Sequence, residues 1–144
     1  MSITKLNNLS ISAITALPSG VGGKVLQVVN GTAGSDNTTS TSYVASSCTL
    51  SITPSSASNK ILLLGSVNCA NGSNFYVELK FYRNGSDASG TAASHYAGNN
   101  AQNTMMYLDS PSSTSALTYA IYFRATGSTA YINTQSITAI EIKG

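Results

Sequence analysis

The sequence predicts an all-β protein: a single antiparallel β-sandwich, jelly-roll-like, of about eight strands. Charged residues make up only 8% of the 144 residues, against about 25% in a typical domain, so Ser, Thr, Asn and Gly must supply the polar surface. These residues, with the β-branched and aromatic ones, favour strands and turns. Short apolar runs also recur at a spacing of roughly 8–12 residues, which is typical of sandwiches, with an open barrel as the alternative.

The first 23 residues differ from the rest of the chain. They are rich in Ser, Thr and Ile, and Pro18 and three glycines close the segment. We therefore expect an extended or partly helical N-terminal arm with a Gly-rich hinge at residues 1–23, followed by a β-sandwich domain at residues 24–144. An apolar arm must be buried by its own domain, a sister subunit or a larger partner. The residues predicted to form that interface are Leu6, Leu9, Ile14 and Leu17.

The first half of the domain reads as three strands. Residues 24–30 and 43–53 form two of them, with a polar surface loop at 31–42 between them. Residues 60–70 are nearly continuous in apolar side chains, which predicts a central strand. Asn71-Gly72 then signals a tight turn.

The second half alternates more clearly. Residues 74–83 place Phe75, Val77, Leu79 and Phe81 on one face, and Asn84-Gly85 signals a hairpin. Residues 86–104 are polar and read as a long loop with a weak strand around His95. The remaining predicted strands cover 105–109, 116–125, 130–133 and 136–143.

Charge and hydropathy exclude several classes of partner. The net charge is +2 and the basic residues are scattered, so no nucleic-acid-binding patch is predicted. No apolar stretch approaches the roughly 20 residues of a membrane span, and no signal peptide is expected. The Asn-x-Ser/Thr sequons reflect the composition rather than glycosylation.

The two cysteines, Cys48 and Cys69, share strand parity with apolar neighbours. Their separation fits no metal motif, and two cysteines make no disulfide framework. We expect two buried free thiols that behave as small hydrophobic residues, with a disulfide as the alternative.

The titratable residues predict no catalytic, metal or cofactor site. His95 has no acidic residue near it in sequence, and a lone surface histidine is the better interpretation. Glu78 and Glu141 alternate with apolar residues and should be exposed on a sheet face or edge. Asp109 precedes Ser110-Pro111, which is the chemistry of a turn. The pattern of Asp36 and Asp87 is also that of turns, and no zinc, calcium or phosphate-binding motif occurs.

Tyrosines provide the positive signal. Tyr76, Tyr82 and Tyr122 should project from the strand faces opposite the core. Tyrosine is enriched at interfaces because it combines apolar area with a polar tip. The alternatives are ordinary sheet-face residues, a subunit interface or a carbohydrate platform.

Several phrases in fixed order carry a resemblance to a known family. They are GKVLQVVN at 23–30, SITPSSASNKILLL at 51–64, LDSPSSTSALTY at 108–119, YIN at 131–133 and SITAIEIKG at 136–144. Together they resemble a β-rich module of structural proteins of tailed bacteriophages, especially those of marine and freshwater bacteria. The family implies no catalytic residue. Here only TQS separates the YIN and ITAIEI phrases, where related modules often carry a longer insertion.

The resemblance implies a non-enzymatic virion protein, assembled in the host bacterial cytoplasm. The sequence contains no shaft of the kind a fibre needs, so we expect a capsid cement or decoration protein. Such a protein would be a homo-oligomer, a trimer by analogy with its class, bound to the major capsid protein or other virion proteins. The alternative is a short fibre or tail tip that recognises a host glycan through its tyrosines. A glycan-cleaving enzyme is disfavoured because paired carboxylates are scarce.

Overall fold

Ten strands and no helix make up the described part of the chain. The structure, a computed structural model, describes residues 24–71, 75–90, 93–96 and 100–144, and only the backbone of Asn71 and of 93–96. The strands are β1 Val25–Ala33, β2 Asp36–Thr38, β3 Val44–Ile52, β4 Lys60–Asn71, β5 Tyr76–Arg83, β6 Ser86–Asp87, β7 Ala93–Tyr96, β8 Ala101–Asp109, β9 Leu117–Ala125 and β10 Ala130–Ile142.

The strands form two five-stranded antiparallel sheets. Sheet A has the order β1-β10-β4-β8, with β2 beside β10, and sheet B has the order β3-β9-β5-β6, with β7 beside β5. If β2 and β6 are left aside, the first of the eight remaining strands pairs with the last (β1–β10) and the second with the second last (β3–β9). The inner strands continue this order as β4–β8 and β5–β7. The chain therefore pairs as one long hairpin rolled into a sandwich, which is a jelly roll. The predicted fold class is confirmed.

One hydrophobic core fills the space between the sheets. Alternate residues of each strand point inward, as the period-2 pattern requires. The four residues predicted to face the core around β5 are all buried, namely Phe75, Val77, Leu79 and Phe81. Predicted central strand β4 does lie between β10 and β8. The largest apolar contributors with almost no exposed surface are Tyr119, Phe81, Phe123, Ile61, Leu63, Leu79, Ile121, Ile132 and Ile137.

Three predicted boundaries are wrong. The expected surface loop at 31–42 contains the end of β1 and all of β2, because Asn30 to Ala33 continue the ladder with β10. The two expected strands at 130–133 and 136–143 are one strand, β10, with an irregularity between Ile132 and Gln135 in its pairing with β4. β8 begins at Ala101 rather than at residue 105, because its polar first half pairs with β4.

Two glycine positions are tied to the geometry of the chain. Asn84 and Gly85 have φ angles of 50° and 79° between β5 and β6, which confirms the predicted two-residue hairpin turn. At Gly31, a Cβ would lie 2.2 Å from the Thr49 carbonyl oxygen, so β1 can approach β3 only without a side chain there. The Asn71-Gly72 turn and the predicted arm lie outside the described residues.

Cys48 and Cys69 are both buried and both free, as predicted. Burial raises the pKa of the Cys48 thiol, and it raises the pKa of the Cys69 thiol to about 12. Both residues therefore act as small core side chains rather than as nucleophiles.

Candidate functional site

Asp109 is not part of a turn, contrary to the sequence interpretation. It is the last residue of β8 and is 4% exposed. Arg83 Nη1 on β5 donates hydrogen bonds of 2.7 and 2.6 Å to its two carboxylate oxygens, and the Tyr119 hydroxyl on β9 donates a third of 2.5 Å. Burial and this carboxylate raise the pKa of Tyr119. The group joins sheet A to sheet B, so its geometry is that of a structural cross-link.

Glu141 was predicted to be an exposed sheet residue, and this prediction is wrong. The residue is only 1% exposed. Its Oε1 accepts hydrogen bonds from the Ser55 backbone N–H, the Ser55 hydroxyl and the Asn59 amide, and its Oε2 accepts one from the Gln27 amide. Burial alone would raise the pKa of this carboxyl group, but the hydrogen bonds outweigh it and lower the pKa to about 2. The carboxylate therefore fastens the β3–β4 connection and β1 to the end of β10.

The other three carboxylates are also held by neighbours. Asp36 opens strand β2 and accepts hydrogen bonds from Ser47 and Gln135, rather than lying in a simple turn. Glu78 is partly buried and pairs with Arg124, with an Nη2–Oε2 distance of 2.7 Å. Asp87 pairs with Lys80 at 2.5 Å.

All five acidic residues lie in the described part of the chain, and none is paired with a second acid by a hydrogen bond found there. Three or more His, Cys, Asp or Glu side chains do not converge anywhere within the described ranges. The side chain of His95, the predicted lone histidine, lies outside the description; its backbone belongs to β7. The five carboxylates thus make contacts that hold the fold together.

The outer face of sheet B carries an aromatic cluster. The rings of Tyr82 and Tyr122 stack with centroids 3.8 Å apart and an interplanar angle of 7°. Tyr43 lies 6.3 Å from Tyr82, and its hydroxyl donates to Glu78 at 2.9 Å. The Arg124 guanidinium lies 5.0 Å from the Tyr43 ring centroid. We call Tyr43, Tyr82 and Tyr122 the tyrosine cluster.

The structure brings together two of the three tyrosines predicted from sequence. Tyr82 and Tyr122 are half-buried in the cluster, whereas Tyr76 is 45% exposed near the other end of β5. Tyr43 was missed because it is the first residue of the predicted strand 43–53, and its neighbours Tyr82 and Tyr122 lie on strands distant in sequence. Burial and Glu78 raise the pKa of Tyr43 to about 12, which fits a phenol hydrogen-bonded to a carboxylate. An interface at these residues stays a prediction, but sheet B largely covers this face with its own side chains.

The outer face of sheet A is different, because apolar side chains line up across all four of its long strands. The pairing register places Val28, Ile140, Leu62 and Leu108 in one row, and Leu64 and Met106 in the next. We call these six residues the apolar face. Met106 is 74% exposed, Val28 59% and Leu108 47%. Such a contiguous patch marks an interaction site more often than isolated exposed residues do.

Two further features adjoin the apolar face. Val25 and Leu26, both exposed, continue it at the start of β1. A shallow groove of about 510 Å³ opens along β4 and β8 between Leu64, Ser66, Thr104 and Met106. The sequence signal for this surface is the presence of apolar residues at both parities of β4, the pattern from which a central strand is predicted.

No protein-family model matches the chain, and no curated protein sequence matches it.

Within the described ranges, no helix has the length and hydropathy needed to cross a membrane. The candidate functional surfaces are the two outer sheet faces. The apolar face can exclude water against a complementary apolar surface, and the tyrosine cluster can offer ring area and charged groups to a polar ligand.

Proposed function

We propose that the protein is a non-enzymatic virion structural protein, a cement or decoration protein that stabilises a tailed-bacteriophage capsid. The observation that carries the proposal is the apolar face of sheet A. A stable jelly roll with a large apolar area in water is suited to a buried position in an assembly. The resemblance of its sequence phrases to phage structural modules supports the same class of protein.

The energetics of this face suit binding to an assembled lattice. Burying apolar surface contributes about 25 cal/mol per Å², so one fully buried Leu or Met side chain contributes roughly 1.5–3 kcal/mol. A protein that binds the assembled shell but not its free subunits stabilises the shell by mass action. In this proposal the functional form is a homo-oligomer at the capsid surface, with a trimer as the first expectation.

The test is binding to phage shells purified without decoration protein. We expect the purified protein to co-sediment with assembled shells, to saturate at hundreds of copies per particle, and to leave dispersed shell subunits unbound. Met106→Lys should weaken shell binding by at least about tenfold, because it places a charge in an apolar contact. Tyr131→Lys is the matched control, since Tyr131 on β10 is, like Met106 on β8, an exposed large side chain of sheet A but lies outside the apolar face. Saturation at a few copies, or equal binding by Met106→Lys, would contradict a cement role.

A second candidate function is favoured by the tyrosine cluster. Aromatic rings next to paired charged groups are suited to stacking against sugar rings and hydrogen bonding to hydroxyls. In that case the protein would be a short fibre or tail-tip protein that recognises a host surface glycan. Glycan-array binding that falls on Tyr122→Ala and persists in Tyr131→Ala would support it. A complete lack of glycan binding by the intact protein would remove this candidate.

A further inference from the structure

The apolar face requires an occupant, and the chain itself contains a segment of the right chemistry. Residues 1–23 precede the described domain and carry only one charge, on Lys5. Their large aliphatic residues include Leu6, Leu9, Ile14 and Leu17. The next residues, Lys24 and Val25, begin β1 at the edge of sheet A.

The point of attachment lies beside the apolar face. Val25 pairs with Ile142, and Val28, a member of the apolar face, pairs with Ile140 on the same strand. The segment is therefore tethered at the end of sheet A where the apolar rows lie, rather than at the opposite, more polar end around Thr32 and Ser136.

The length of the segment is sufficient to cross such a face. Twenty-three extended residues span up to about 75 Å at roughly 3.3 Å per residue. The four long strands of a sheet cover only about 15 Å from first to last, at about 4.8 Å between neighbours. Even the part before Pro18 is long enough to lay its aliphatic side chains along both rows and beside the groove.

The direction of the backbone favours the face of another copy. The Lys143 backbone N–H donates to the Lys24 carbonyl oxygen at 2.7 Å, which continues the β1–β10 ladder to the edge of the domain. Lys24 thus still follows the direction of β1, which runs along sheet A and out of its end. An arm that packed on the apolar face of its own copy would have to reverse this direction, whereas an arm that packed on a second copy would not.

We propose that residues 1–17 of one copy pack on the apolar face of a second copy, so that exchanged arms hold a homo-oligomer together. This inference rests on the proposed function, because it names what covers the same face in the assembled state. The exchange would bury the aliphatic side chains of the arm and those of the apolar face in one step, and the oligomer that it forms would be the unit that binds the shell.

The first experiment uses methionine oxidation by hydrogen peroxide in the full-length protein. Met106 is 74% exposed in the domain, whereas its neighbour Met105 is 9% exposed and provides an internal reference on the same peptide. The test variant replaces Leu6, Leu9, Ile14 and Leu17 by Ser and leaves the domain unchanged. We expect Met106 to oxidise at least about fivefold faster in this variant than in the native protein. Equal oxidation rates would overturn the proposal, because the arm then leaves the face open.

The second experiment identifies which copy supplies the arm. Leu9→Cys and Met106→Cys are placed on separate copies of different size, with Cys48 and Cys69 replaced by Ala and stability verified by urea unfolding. A short thiol cross-linker should then join unlike copies at least about fivefold more efficiently than in the control mixture of Leu9→Cys with Tyr131→Cys. A further sample carries Leu9→Cys and Met106→Cys on the same copy, diluted with an excess of cysteine-free protein. If cross-links form only in this sample, and therefore only within one copy, the assignment of the arm to a second copy is wrong.

Light scattering and shell binding separate this inference from the proposed function. The native protein should be an oligomer and the four-Ser variant a monomer at the same concentration. If the protein binds shells but its arm does not protect Met106 from oxidation, the arm exchange is wrong and the cement function is retained. If the arm protects Met106 and holds the oligomer together but the protein binds no shells, the arm exchange is retained and the cement function is wrong.

Discussion

Arg83 and Asp109 form a two-fold hydrogen-bonded ion pair between the two sheets, with Nη1–Oδ distances of 2.7 and 2.6 Å. They lie 26 residues apart in sequence, on β5 and β8. Tyr119 completes the pair from β9. The aspartate side chain is 6% exposed and the arginine side chain 33%, so the cross-link is shielded on the acidic side only.

Asp109→Asn should therefore destabilise the protein by about 2–4 kcal/mol, because it leaves Arg83 and the Tyr119 hydroxyl without their anionic acceptor. Urea unfolding followed by tyrosine fluorescence gives the measurement. Asp87→Asn is the matched control, since the Asp87 side chain is 35% exposed, against 6% for Asp109, and its pair with Lys80 should contribute less than about 1 kcal/mol. Equal small effects of the two substitutions would contradict a structural role for the sheet-to-sheet pair.

Glu141 should make the protein sensitive to acid. Its pKa in the folded state, about 2, lies below the ordinary value of 4.5, so the folded state favours the ionised form. The stabilisation is therefore fully present above about pH 4.5 and is lost as the pH falls toward 2. Unfolding free energies measured between pH 7 and pH 2 should show this loss.

Glu141→Gln provides the corresponding variant. It should be less stable than the native protein at pH 7, by about 1–3 kcal/mol, since the new amide NH2 group must face either the Gln27 donor or the donors of Ser55 and Asn59. Its stability should also vary less between pH 4.5 and 2. An unchanged pH dependence would show that another carboxylate causes the acid sensitivity.

Gly31→Ala should destabilise the protein by about 1–3 kcal/mol through overpacking, because its Cβ would meet the Thr49 carbonyl oxygen at 2.2 Å. Gly34→Ala is the control three residues later, where no atom lies within 4 Å of the added methyl group. That variant should remain within about 0.5 kcal/mol of the native protein. Thermal unfolding of both variants side by side gives the comparison.

The buried thiols should be chemically inert in the folded protein. Because burial raises the pKa values of Cys48 and Cys69, Ellman's reagent should react on the order of 10-fold or more slowly with the native protein than with the urea-unfolded protein. A reducing agent should leave the melting temperature unchanged, as no disulfide is present. Rapid reaction of either thiol in native buffer would show that the core opens around it.

The sequence predicts the local features of the fold well. Alternation places Val77, Leu79 and Phe81 in the core, and Asn84-Gly85 forms the expected turn, because both signals depend on neighbouring residues. Asp109 and Glu141 were misplaced for the opposite reason. Glu141 meets Gln27 and Asn59 across 114 and 82 residues, so only the rolled topology creates its environment.

The candidate surfaces show the same limit. Tyr82 and Tyr122 could be assigned to an outer face, but their stacking depends on the pairing of β5 with β9. The apolar face was missed because Leu62 and Leu64 fit a strand buried on both sides equally well. Only the register of β4 with β8 and β10 shows that Leu108 and Met106 join them on a face that the domain itself leaves uncovered.

The position of β10 inside sheet A also governs when the protein can fold. β10 is the last of the described strands in the chain, yet it lies between β1 and β4 and pairs with both. During translation, β1 has therefore no neighbour in its sheet until residues 130–142 have left the ribosome. The exposed edges of the unfinished sheet must be kept apart from other nascent chains for that whole interval.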